Sequence, residues 1–325
     1  MKTFWQLLRV HHWIKNGLIF LPLFFSGQFL QPFLLVKNIL GFLAFSLTTS
    51  VIYIINDSFD IENDRKHPIK CKRPLASGAI SVSQAYTIAG ALLAFALFLN
   101  FLTVNLEDLI LLLKNSDFAA GFFADGFAAR LTASIQPTPL LNNIITWLII
   151  AAYIILNYGY SRGLKNVPLV DIAILVSGFI LRVFYGSTIS NIQASHWLYL
   201  TVFALSFYMG FGKRRNEIIK QGNESRGVLK HYSYNFLDKN MYLCLALTIV
   251  FYALWTVDPA TYARYGSYKL IWTVPLVMLI CMKYSLNIEQ RSHGDPVDVV
   301  LSDKVLLTLI ILFLLIMLLL IYLVS

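Results

Sequence analysis

Between Asn56 and Gly78 the chain reads NDSFDIENDRKHPIKCKRPLASG, a run that sets acidic, basic and turn-forming residues directly after an apolar stretch. On a helix, at roughly 100° per residue, Asn56, Asp57, Asp60 and Asp64 fall within a single arc of about 100°, while Glu62 points well away. Carboxylates so close together repel one another unless a positive charge sits among them. Hard oxygen donors on one face suit Mg²⁺ held jointly with substrate phosphates. His67-Pro68 is expected to end the helix, because proline lacks an N–H and disfavours the α conformation in the residue before it. Lys66, Lys70, Lys72 and Arg73 lie in or just after this boundary. A metal-binding acidic face beside a basic loop is what a pyrophosphate-bearing substrate requires.

A second cluster comprises Tyr158, Tyr160, Ser161, Arg162, Lys165 and Asp171. On a helix starting at Pro168, Asp171, Gly178 and Arg182 share a stripe, yet Asp171 and Arg182 are about 16 Å apart along the axis at 1.5 Å per residue. Each therefore needs another partner. An ionisable residue within a membrane span marks a functional cavity by default, and Asp171 would complete a metal site facing Asp60 and Asp64. Arg182 could instead be bonded to the backbone carbonyls of a broken helix. The third cluster, Lys213-Arg214-Arg215 with Glu217, has an alternative reading as a basic membrane edge that satisfies topology and anionic lipid. His231, His293 and the pair His11-His12 lack ligand spacing, so zinc is not indicated. The segment from His293 to Asp298, followed by Asp303-Lys304, reads as a turn before the last apolar run. A Walker A loop, a nucleotide-binding GxGxxG turn, a GxSxG elbow and an HExxH helix are absent from the sequence.

The elements that position these residues follow from composition. With 58% hydrophobic and 13% charged residues and a mean hydropathy of +0.67, a soluble domain is excluded. The chain reads as an all-α, polytopic membrane protein forming one transmembrane domain over residues 1–325. At about 20 apolar residues per crossing, spans fall near 17–35, 39–58, 82–104, 143–160, 168–189, 195–212, 240–257, 268–287 and 304–324. These are nine transmembrane helices. Residues 1–16 read as an amphipathic interfacial helix, and 105–142 as a non-cytosolic interfacial insertion whose Glu107, Asp117 and Asp125 belong to its surface. No cleavage pattern follows the first apolar run. Lys and Arg concentrate in the N-terminus and in 59–81, 161–167, 213–239 and 283–304. By the positive-inside rule these segments are cytosolic, as is the N-terminus, and the C-terminus lies outside. The net charge of +9 then reflects cytosolic loops and a phosphorylated ligand, with no nucleic-acid partner. Cys71, Cys244 and Cys281 read as free thiols.

Taken together, these residues resemble the UbiA superfamily of intramembrane prenyltransferases. Asn56-Asp57-x-x-Asp60-x-x-x-Asp64 matches its first Asp-rich motif. Trp13-x-Lys15-Asn16, Phe20–Phe25, Asp64-Arg65-x-His67-Pro68-x-Lys70-x-x-Arg73-Pro74-x-Ala76-x-Gly78, Tyr160-Ser161-x-x-Leu164-Lys165 and Lys213-Arg214-x-x-Glu217 are similar to its decaprenyl-phosphate phosphoribosyltransferase branch. Two departures stand out: only Asp171 represents the second Asp-rich motif, and the 105–142 insertion has no counterpart.

The resemblance implies nine helices around a cavity open to the cytosol, in a bacterial plasma membrane, with a homo-oligomer allowed. It implies transfer of 5-phosphoribose from phosphoribosyl pyrophosphate to a polyprenyl phosphate, a step in cell-envelope synthesis. Mg²⁺ would rest on Asn56, Asp60, Asp64 and Asp171, with Asp57 also at the reacting centre. Lys66, Lys70 and Arg73 would hold the diphosphate. Lys15, Tyr160, Arg162, Lys165, Arg182 and Lys213 would align the acceptor phosphate or the ribose 5-phosphate. Two other functions use the same residues: prenyl transfer from a polyprenyl diphosphate to a small acceptor, and transport along a route lined by Asp171 and Arg182.

Overall fold

Pro32, at the first turn of a helix where its missing N–H costs nothing, opens a 28-residue helix that runs to Phe59 and ends in the acidic stretch. This helix, α3, is the spine of the first of two compact units in the computed structural model, which describes residues 2–66, 69–114, 135, 138–221, 227–290 and 296–323. The first unit comprises 1–163 and 181–193, and the second 164–180 and 194–325.

In the first unit the chain enters through α1 (Lys2–Leu8), a 3-10 helix (Val10–Phe20) and the short α2 (Leu21–Phe24). After α3 come α4 (Ile61–Lys66), α5 (Val82–Val104), α6 (Leu106–Lys114) and α7 (Leu140–Arg162). The second half of α8 (Val170–Ser190) completes this unit. Ser81 and Gln84 close a capping box at the start of α5, satisfying donors that a helix N-terminus otherwise leaves orphaned. Helix α3 packs on α5, α7 and the N-terminal segment. Phe45, Ile52, Ile149, Ile150, Tyr153 and Tyr185 form the core there. A Cβ on Gly186 would lie 1.9 Å from the Ile19 carbonyl oxygen, so only glycine lets α8 approach this backbone.

The second unit holds the start of α8 and a succession of helices: α9 (His196–Gln221), α10 (Tyr234–Val257), α11 (Pro259–Tyr265), α12 (Val274–Gln290), α13 (Pro296–Ser302) and α14 (Lys304–Tyr322). Ser233, Asp258 and Asp303 cap α10, α11 and α14 with side-chain oxygens. Its core gathers Ile172, Tyr208, Val228, Leu237, Met241 and Ile288.

Among the described residues seven segments are long and apolar enough to cross a membrane: Pro32–Phe59, Val82–Val104, Leu140–Arg162, Val170–Ser190, Tyr234–Val257, Lys269–Glu289 and Lys304–Tyr322. Two of the nine expected spans differ. Residues 17–35 do not form one helix, because Pro22 and a turn through Gly27, at φ 77°, divide the run before Pro32 starts α3. Of residues 195–212, all from His196 on are helical, within α9, but its His, Ser, Thr and Tyr residues and charged end dilute the apolar pattern.

The N-terminus also departs from expectation. Residues 1–16 are not one interfacial helix: α1 stops at Leu8, Arg9 takes the left-handed conformation (φ 49°, ψ 46°), and a 3-10 helix follows. Leu7, Leu8, Asn16 and Ile19 are buried. Trp13 Nε1 donates to Ser50 Oγ (3.0 Å), Asn16 Nδ2 to Ser46 Oγ (2.8 Å), and Ser50 Oγ to the Leu8 carbonyl (2.7 Å). The segment is bolted along α3.

Within 105–142, Asp117 and Asp125 lie outside the described residues. Glu107 is buried and ion-paired with Lys37 of α3 at 2.6 Å. Thr138, from the far end of the insertion, bonds to both. A buried ammonium and carboxylate thus neutralise each other, and Thr138 satisfies a further bond of each.

Candidate active site

Helix α3 carries the first acidic residues, but it does not run unbroken through them. Asp60 caps it at φ −101° and ψ 9°, and α4 restarts at Ile61. Helical hydrogen bonding nevertheless bridges the joint, from Asp60 N–H to the Asn56 carbonyl (3.1 Å) and from Asp64 N–H to the Asp60 carbonyl (2.8 Å). The four-residue spacing therefore keeps its geometric meaning. Asn56 Nδ2 donates to Asp60 Oδ2 at 3.3 Å, and Ser161 Oγ, at the end of α7, donates to Asn56 Oδ1 at 3.0 Å. Glu62 points elsewhere and pairs with exposed Arg65 at 2.9 Å.

Asp57 and Asp64 make a second group. Both are 4% exposed, a degree of burial that requires neutralisation. Arg73 supplies part of it, since its Nη1 lies 3.2 Å from Asp57 Oδ1 and also donates to Asp64 Oδ2. Arg9 supplies the rest by donating through Nη2 to the same Asp57 oxygen, with its guanidinium 4.9 Å from the centre of the Tyr53 ring. The loop that delivers Arg73 is a short 3-10 turn, Lys70–Lys72. Lys70 is half-buried and Lys66 exposed. The stop expected from His67-Pro68 lies outside the described residues.

The other basic residues occupy different surroundings. Arg162 Nε donates to Tyr158 Oη at 2.9 Å, and its guanidinium lies 5.8 Å from the Phe59 ring centre. Tyr160, Lys165, Lys15 and Lys213 are half-buried. Arg182 is 5% exposed. Its Nε donates to Asn16 Oδ1 (2.6 Å), its Nη2 to Tyr153 Oη (3.2 Å), and its plane faces the rings of Phe45 and Tyr153. Both of these bonds go to side chains.

In the second unit Asp171 begins α8 at 0% exposure. Its Oδ2 accepts from Arg214 Nε (2.7 Å), itself 0% exposed, and its Oδ1 from Tyr232 Oη (2.7 Å). Arg214 Nη1 adds Glu217 at 2.6 Å. Tyr232 also accepts from the Leu169 N–H at 2.6 Å, where the chain turns through φ 66°. Burial, together with the bond to Asp171, pushes the Tyr232 phenol up to about 12, so it remains a donor at neutral pH. Arg215 pairs with Asp238 at 2.7 Å and bonds to Tyr234. The edge of basic residues expected to face lipid is thus turned inward at both arginines.

With the geometry established, the comparisons with known proteins place the chain. The model of the UbiA prenyltransferase family matches residues 19–124. Decaprenyl-phosphate phosphoribosyltransferase from Corynebacterium glutamicum is 30% identical over 94% of this chain and 82% of its own length. The chain belongs to the UbiA prenyltransferase family. The protein of the same name from Mycolicibacterium smegmatis is 28% identical over 94% of this chain and 87% of its own length. A UbiA homologue from Archaeoglobus fulgidus, solved bound to GPP and Mg²⁺, superimposes with a TM-score of 0.65 at 18% identity, covering 98% of this chain and 99% of the other. Family membership makes the chain an integral membrane transferase, and within the family it resembles the decaprenyl-phosphate phosphoribosyltransferases.

For this family member the fit of a divalent cation rests on the donor set. Among the described residues no three His, Cys, Asp or Glu side chains gather into a site that could hold a metal alone. Asn56 and Asp60 place amide and carboxylate groups side by side on one face, with Asp64 one turn further. Mg²⁺ commonly takes one or two carboxylates and fills its remaining positions with water and substrate phosphates. The set fits such a cation. Sequence reasoning missed Arg9, because a basic residue among aromatics near an N-terminus has the pattern of an interfacial helix. It missed Tyr232 as well, since no spacing rule links that residue to Asp171 across 61 positions.

Proposed function

We propose that the protein is a Mg²⁺-dependent phosphoribosyltransferase that moves 5-phosphoribose from phosphoribosyl pyrophosphate to a polyprenyl phosphate of decaprenyl type. The bond from ribose C1 to the diphosphate oxygen breaks, a bond from C1 to an oxygen of the lipid phosphate forms, and pyrophosphate leaves. The observation that carries this reading is the likeness, along 94% of the chain, to two proteins named for that reaction. Arg73 supports it, being anchored on Asp57 and Asp64 and so pre-set to receive oxygens of a departing diphosphate.

We assign Asn56, Asp60 and Asp64 to the metal. Bound Mg²⁺ would neutralise the leaving diphosphate, while Lys66, Lys70 and Arg73 stabilise its growing charge. Asp57, held by two arginines, fixes the guanidinium side of the site. Asp171 was expected among the ligands; with both oxygens already accepting from Arg214 and Tyr232, it is better suited to hold Arg214. A lipid phosphate is already anionic and needs alignment more than a strong base, a task suited to Lys15, Tyr160, Arg162, Lys165 and Lys213. Arg182, enclosed by Asn16 and Tyr153, serves the frame that carries Lys15. The N-terminus and the acidic face are assigned to the cytosol and the C-terminus to the outside of a bacterial inner membrane, on the distribution of Lys and Arg.

Purified protein given Mg²⁺, polyprenyl phosphate and labelled phosphoribosyl pyrophosphate is expected to form a labelled lipid. A folded protein that forms none, yet releases pyrophosphate from a prenyl diphosphate and an aromatic acceptor, would replace this reading with prenyl transfer.

A further inference from the structure

Arg9 is left over from every motif in the sequence, and the fold goes to some expense to place it. A non-glycine residue in the left-handed region is strained by its Cβ crowding the following carbonyl oxygen, and such strain persists only where surrounding structure over-determines it. Here the determinants are visible. Leu8 is held by Ser50, Trp13 by Ser50 and Asn16 by Ser46, so the chain on both sides of Arg9 is fixed to α3 about two to three turns before Asp57. The turn at φ 49° delivers the guanidinium to Asp57 Oδ1 and across the Tyr53 ring.

That oxygen is shared. Arg73 Nη1 meets it at 3.2 Å while making its other bond to Asp64. With Arg9 in place, Asp57 is partly neutralised, and Arg73 divides itself between two carboxylates at 26% side-chain exposure. Without Arg9, a buried Asp57 would, among the described residues, keep Arg73 as its ion-pair partner and would draw that cation inward, away from the surface where a diphosphate arrives.

We propose that Arg9 is a positioning residue: by occupying Asp57 it keeps Arg73 poised over Asp64 for a diphosphate group. The proposal deepens the phosphoribosyl-transfer reading in its use of a diphosphate donor. It applies equally to any donor carrying that group, so it can be tested apart from the choice of transferred group.

Inorganic pyrophosphate with Mg²⁺ is therefore the probe, titrated calorimetrically into the detergent-solubilised full chain. Arg9→Gln is expected to weaken pyrophosphate about 10-fold while polyprenyl phosphate binding changes less than 2-fold, a contrast that general loosening of the fold would not produce. Asp57→Asn and the double variant Arg9→Gln/Asp57→Asn then decide the route. If Arg9 acts through Asp57, the double variant binds pyrophosphate within 2-fold of Asp57→Asn alone; a further 10-fold loss would show direct contact with the ligand and overturn the proposal. Unchanged pyrophosphate binding in folded Arg9→Gln, or equal loss for both ligands, would also overturn it. Should Arg9→Gln fail to fold, the comparison of Asp57→Asn with the double variant, in which no buried carboxylate is left unpaired, decides alone. Failure to make labelled lipid with intact pyrophosphate binding would count against the transferred group and leave Arg9 unaffected.

Discussion

The two acidic clusters use the same chemical vocabulary to opposite ends. At Asp57 and Asp64 the carboxylates are buried, but their shared partner, Arg73, keeps 26% of its side chain exposed, and Asp60 beside them is half-buried. At Asp171 both the carboxylate and Arg214 are wholly enclosed, and each carboxylate oxygen has its own donor. The first arrangement leaves charge that a ligand can meet. The second closes on itself, and an enclosed pair of this kind holds elements in register. A buried charge pair in a membrane protein is therefore informative about function only when its partners retain a path to ligand.

The largest effect is expected at Arg214. Arg214→Leu leaves Asp171 buried and unpaired apart from Tyr232, and is expected to destabilise the protein by about 3–5 kcal/mol, read as a fall in thermal midpoint in detergent. An unchanged midpoint would mean that the second cluster does not lock the fold. Next in size, Asp60→Ala and Asp64→Ala are each expected to lower Mg²⁺-dependent turnover about 10²–10³-fold, with folded protein retained. If Asp171→Asn gave the same turnover loss at unchanged stability, the second cluster would be a reaction site like the first.

A smaller effect sharpens the contrast at the edge of the second unit. The Lys283 ammonium and the Leu306 N–H hold the Asp303 carboxyl down at about 2. Since the folded value lies below the ordinary 3.8, the stabilisation is present above pH 4 and is lost as the pH falls through 2. The acid-induced drop in thermal midpoint over that window is expected to shrink in Asp303→Asn. Least affected should be Glu62→Ala. Its partner Arg65 is exposed, so a change within about 0.5 kcal/mol and near-normal turnover are expected; damage equal to that of Asp60→Ala would contradict the separation of Glu62 from the acidic face.

Much of the first cluster was legible because local periodicity survives the break at Asp60: Asn56 meets Asp60 at the i, i+4 spacing, and Glu62 turns away. The need of Asp171 and Arg182 for separate partners was legible too, since two charges 11 residues apart on a helix cannot meet. The identities of those partners were not. Arg214, Tyr232, Asn16 and Tyr153 come from other elements, and only tertiary packing selects them. The N-terminal segment misled for the same reason: aromatic and basic residues that would suit a lipid interface are instead held by Ser46, Ser50 and Asp57 of α3. A run of apolar residues at 17–35 likewise satisfied a span-length rule while Pro22 and Gly27 were placed to divide it.

The bonds of Lys37 with Glu107 and Thr138 have a consequence for how much sequence change the chain tolerates. Glu107 and Thr138, 31 positions apart, are tied to α3 and to each other, so the stretch of chain between them is already closed at its ends. The entropy of closing such a loop grows only with the logarithm of its length, about 0.6 kcal/mol for each doubling. The clasp is in effect a socket: a change of length between its two ends costs little closure entropy, and the anchor on Lys37 of α3 is the same whatever that length.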